Sequence, residues 1–100
     1  MNAQIRRILE MEKLLNESQK VLNDYDRVLT DFKSVQEKIE KLEAYYAGKM
    51  WRKDFEDAEA GKLPEGLPAG VLSEDGIYDL LTENHDLILD TLELIKERIR

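Results

Sequence analysis

Apolar side chains recur every seven residues through the first half of this chain. Ile8, Leu15, Leu22 and Leu29 form one row. Leu14, Val21, Val28, Val35 and Leu42 form a second, and Met11, Tyr25, Phe32, Ile39 and Tyr46 a third. Rows with that spacing share one helical face, and no glycine or proline interrupts the stretch from Ala3 to Ala47. The pattern predicts one amphipathic helix over 2–47, with Asn2 as its N-cap and Gly48 as the residue just past its end. At ~1.5 Å per residue such a helix would run roughly 70 Å. The Ile8 row gives way to Gln36 and Glu43, and the spacing of Leu29, Phe32 and Val35 resembles a stammer, which locally overwinds a coiled coil.

The opposite face is equally regular. Arg6, Lys13, Lys20 and Arg27 repeat every seven residues, as do Glu10, Glu17, Asp24 and Asp31. Each base therefore has acids about one turn away on either side, so this is a solvated face and not a basic patch for nucleic acid.

Beyond Gly48 the pattern predicts a short helix over 50–60, in which Trp51 and Phe55, four apart, share a face. A connector follows over 61–72, where Pro64 and Pro68 deny helix and three glycines permit turns. A final helix over 73–99 would start at Ser73 as N-cap, with Glu74 and Asp75 in its first turn. Its apolar steps Leu80-Leu81, Leu87-Ile88 and Leu94-Ile95 repeat every seven, and Lys96, Arg98 and Arg100 close it. Asn84 and Thr91 lie on the same face as polar residues that can fix register. The fold class is all-α: a long helix, a short aromatic helix, a Pro/Gly connector and a returning helix. Together they make a hairpin or bundle completed by dimerisation.

Composition narrows this further. One hundred residues, 42% apolar and 37% charged, suit a single helical domain over 1–100. The net charge of −7 is unevenly placed: in residues 1–49 nine bases cancel nine acids, whereas residues 50–100 set six bases against thirteen acids. An acidic chain of this kind is a poor partner for nucleic acid or an anionic membrane. It has no apolar run long enough to span a bilayer, and its charged N-terminal residues do not read as a signal peptide. The lack of cysteine excludes disulfides and thiolate metal sites and fits a cytoplasmic location.

Little in the sequence suggests catalysis. His85 is the only histidine and has no positioned carboxylate or nucleophile beside it. Asp54, Glu56, Asp57 and Glu59 fail the order of a calcium loop, because Glu59 falls where that loop needs glycine. Gly61, Gly66 and Gly70 lack the following Lys-Ser/Thr of a phosphate loop. No enzyme activity and no cofactor are implied. Tyr45, Tyr46, Trp51 and Phe55 form an aromatic cluster that reads either as a plug at one end of the bundle or as a pocket for a small ligand or metal within 45–59. Asp79, Glu83, Asp86, Asp90, Glu93 and Glu97 make an acidic stripe along the last helix, solvated or open to a basic partner.

The second half also carries a recognisable arrangement. Tyr45-Tyr46, Trp51, Asp54, Gly61-Lys-Leu-Pro64 and Gly70-Val-Leu-Ser-Glu-Asp75, followed by Tyr78, Leu80 and Leu81, resemble a family of small bacterial proteins designated a domain of unknown function (number 4298). The resemblance implies a small bacterial, cytoplasmic protein. It brings no activity, substrate or cofactor with it.

A returning helix of ~27 residues covers only ~40 Å of the first, leaving roughly its first 18–20 residues uncovered. Ile8, Met11, Leu15 and Leu22 are then the contact residues for a second copy or another protein, since monomers seldom leave such a stripe bare. The expectation is a protein-interaction or homodimerisation module.

Overall fold

The computed structural model describes residues 2–99. Helix α1 spans Ala3–Ala47, α2 Lys49–Glu59 and α3 Gly76–Arg98, with a single 3₁₀ turn at Gly70–Leu72. No strand occurs among the described residues, so the fold is all-α. The molecule divides into two compact units, Met1–Gln36 and Glu37–Arg100. Arg100, expected in the last turn, lies outside the described residues.

The first unit is a stretch of α1 held by local interactions. The Asn2 side-chain oxygen accepts the Ile5 N–H at 2.8 Å, which is the N-cap the sequence called for. Along the polar face Lys13 pairs with Glu17 at 3.8 Å, and Lys20 and Arg27 both reach Asp24, at 3.1 and 3.7 Å. Such exposed pairs stabilise a helix by only ~0.2–0.5 kcal/mol each. No residue of α1 is buried.

The second unit begins with the last turns of α1. Gly48 does not close that helix in the left-handed conformation. Its φ of −93° and ψ of 171° are extended, because it is also the N-cap of α2, which starts at the next residue. The left-handed cap comes later, at Gly61 with φ 71°. There the Lys62 N–H bonds the Asp57 carbonyl at 2.9 Å, and the Gly61 N–H bonds Ala58 at 3.1 Å, a Schellman pair that ends α2. A side chain at Gly61 would face the left-handed strain that only glycine escapes.

Helix α3 starts three residues after Ser73. The Ser73 hydroxyl does accept the Gly76 N–H, at 3.0 Å, but it also donates to the Gly70 carbonyl at 2.8 Å. That double bond set folds residues 70–76 into a tight loop, and the regular helix begins only beyond it. Glu74 and Asp75 therefore precede α3, and Asp79 is the acid in its first turn. Gly76 is required by close approach: a Cβ there would sit 2.5 Å from the Ser73 oxygen and 2.7 Å from the Gly70 carbonyl oxygen.

The loop places Ile77 at the centre of the unit. At 3% exposure it is the one buried side chain among the described residues, and its burial stabilises by ~1.5–3 kcal/mol. It lines an open apolar groove of about 190 Å³ with Leu42, Val71 and Leu80. Farther along α3 the apolar side chains from Leu87 to Ile95 stay open, at 45% to 53% exposure. Thr91 returns its hydroxyl to the Leu87 carbonyl of its own helix at 2.8 Å.

Candidate functional site

Two features of this fold could carry function: the aromatic group of the second unit and the apolar stripe of the first. In the aromatic group, Trp51 is the centre. Tyr46 meets it edge to face with ring centroids 5.0 Å apart, and Phe55 stacks on it at 5.2 Å with planes 15° apart. Both geometries suit the ring quadrupoles and contribute ~0.5–1.5 kcal/mol each beyond area burial. The indole N–H donates to the Val71 carbonyl at 2.8 Å, which ties α2 to the 3₁₀ turn.

Tyr45 takes another direction. Its hydroxyl donates to Asp54 at 2.6 Å, bridging the end of α1 and the middle of α2. The bond to the Asp54 carboxylate stabilises the protonated phenol and raises its pKa above the ordinary 10.0, with burial and the carboxylate charge adding to the effect. One turn on, Lys53 holds Asp57 at 2.9 Å. Their bond raises the lysine pKa and lowers that of the carboxyl.

These contacts account for the chemistry of segment 45–59. Trp51 already has both neighbours and its N–H satisfied, Asp54 accepts from Tyr45, and Asp57 accepts from Lys53. Among the described residues no three or more histidines or carboxylates gather as metal ligands. Of the four aromatic residues singled out from the sequence, Tyr46 and Phe55 gather on Trp51, and Tyr45 bonds Asp54 instead. The bonds Tyr45–Asp54 and Trp51–Val71 span 9 and 20 residues. Periodicity carries no sign of either.

The stripe is the larger feature. Ile8 is 55% exposed, Met11 52%, Leu15 60% and Leu22 61%. Leu14, Val21, Tyr25 and Val28 extend the same face and are equally open. His85 is exposed on α3. No helix among the described residues is long and apolar enough to cross a membrane.

The model of one family, Domain of unknown function (DUF4298), matches residues 8–94. The chain belongs to that family. No curated protein and no solved structure matches it.

Proposed function

Proceeding from a family of unknown function, we propose that this protein is a non-catalytic helical interaction module. Its work is to bind protein through the apolar stripe of α1, most simply a second copy of itself, in the cytoplasm of a bacterium. The observation that carries the reading is the exposure of Ile8, Met11, Leu15 and Leu22 in one continuous row-set on a single helical face. Contiguous apolar surface of this kind on a soluble chain marks a binding site. The charged rows on the far side of α1 keep the helix hydrated in either state. The acidic stripe of α3 can add contacts to a basic partner.

A ligand site within 45–59 has weaker support, because the aromatic and carboxylate groups there are engaged with one another. The reading requires no cofactor.

Light scattering behind size exclusion tests it. The intact chain should run at twice its 11.7 kDa, and the double variant Leu15→Glu, Leu22→Glu should run as a single chain with Trp51 emission unchanged. A wild-type chain of single mass, or a variant whose mass does not fall, refutes the proposal.

A further inference from the structure

The stripe of α1 is symmetric about Ser18. Leu15 and Val21 lie three positions either side of Ser18, Leu14 and Leu22 four, Met11 and Tyr25 seven, and Ile8 and Val28 ten. Reversing the direction of the helix about Ser18 therefore lays apolar positions on apolar positions over ~30 Å of helix. Such self-complementarity is what an isologous two-fold contact demands, with residue i meeting j and j meeting i. The same row offers other centres, but a centre at Met11 would use only a short overlap. A centre at Tyr25 would draw in Leu29 and Phe32, which are already half-buried. Ser18 is also the one small side chain in its row, between Met11 and Tyr25, so two helices can approach closely where it meets its copy.

Charge selects the direction. Residues 2–36 hold six bases and six acids, so two such segments meet without net repulsion. Glu17 and Asp24, which border the stripe, already hold Lys13, Lys20 and Arg27. Residues 37–99 hold eight bases and sixteen acids, a net −8, and follow the C-terminal end of each stripe. Parallel pairing brings both acidic segments to the same end, and antiparallel pairing sends them to opposite ends.

Resting on the proposed interaction reading, we infer that the occupant of the stripe is a second copy running antiparallel, with the two-fold axis at Ser18. Met11 of each protomer then meets Tyr25 of the other, and Leu14 meets Leu22.

The absence of cysteine makes the test direct. Single variants Ser18→Cys, Met11→Cys and Tyr25→Cys are oxidised, and the last two are also mixed in denaturant, refolded together and oxidised. Expected is a disulfide-linked dimer from Ser18→Cys and from the mixture, with several-fold less from Met11→Cys or Tyr25→Cys alone. Equal linkage by all three single variants means parallel pairing and overturns the inference. So does linkage by none of these in a chain whose mass is still two protomers and still falls on Leu15→Glu, Leu22→Glu. In that case the interaction reading stands and only the axis is wrong. A wild-type chain of single mass removes both.

Discussion

In residues 2–36 six bases balance six acids and no side chain is buried. In residues 37–99 eight bases face sixteen acids, and Ile77 is buried in the same unit as a cluster of three aromatic rings. The first unit is organised by contacts within four residues: a cap, ion pairs and one polar side-chain pair, Gln19 to Asn23 at 3.0 Å. The second is organised by bonds that join separate elements, Tyr45 to Asp54 and Trp51 to Val71. Helices held only by local terms are marginal in water, because most helical stability in proteins comes from packing an apolar face. The difference separates the two: the second unit has tertiary bonds of its own, and the first has a bare apolar face, which the proposed second copy would cover.

The largest effect expected from a single substitution is at Ile77. Ile77→Ala truncates the one buried side chain among the described residues, and such truncations cost ~2–5 kcal/mol. Trp51, the only tryptophan, reports on the second unit alone. Its thermal midpoint should fall steeply while the solution mass at low temperature stays at two chains. A variant that lost its pairing but kept its Trp51 transition would contradict that separation.

A smaller effect, confined to high pH, is expected at Tyr45. Its phenol pKa is raised in the folded state, so the Tyr45–Asp54 bond contributes fully below the ordinary 10.0 and is lost as pH rises through the raised value. Phenolate absorbance, read as wild type minus Tyr45→Phe, should show this late titration. Asp54→Asn should bring it back towards 10.0, because the carboxylate that holds the proton is gone. An unshifted titration in the wild type would mean that the bridge between α1 and α2 is not closed in solution, and the second unit would lose that tertiary bond.

How much of this was legible depends on the range of each interaction. The cap at Asn2, the long helix and the Pro/Gly connector follow from neighbours in sequence, and each stands where the pattern placed it. The cluster of Tyr46, Trp51 and Phe55 was also within reach, since two of its members are four apart on one helix. Gly48 stands just past the end of α1 as expected, but a second helix begins at once and imposes N-cap geometry on it. Ser73 gives the expected bond to Gly76, yet its second bond, to Gly70, delays α3 by three residues. Tyr45–Asp54 was invisible, because it depends on how the chain turns at Gly48. The seven-residue steps of α3 begin at Leu80 and do not mark Ile77, which only the loop over 70–76 sets apart.

The smallest effect belongs to the first unit. Lys20 bonds Asp24 at 3.1 Å with its side chain 78% exposed, so Lys20→Ala should cost no more than the ~0.2–0.5 kcal/mol of an i,i+4 pair, and less at high salt. Helical circular dichroism should barely change, the two-chain mass should persist, and Trp51 emission should not respond. The value of so small an effect lies in what it separates. If local ion pairs rather than packing hold the helix before Gln36, removing the lysine from the Lys20–Asp24–Arg27 group would lower helicity well beyond this figure. The stripe would then need no partner to explain its order. A near-silent substitution leaves the face of Met11, Leu15 and Leu22, and the second chain proposed to cover it, as the source of that order.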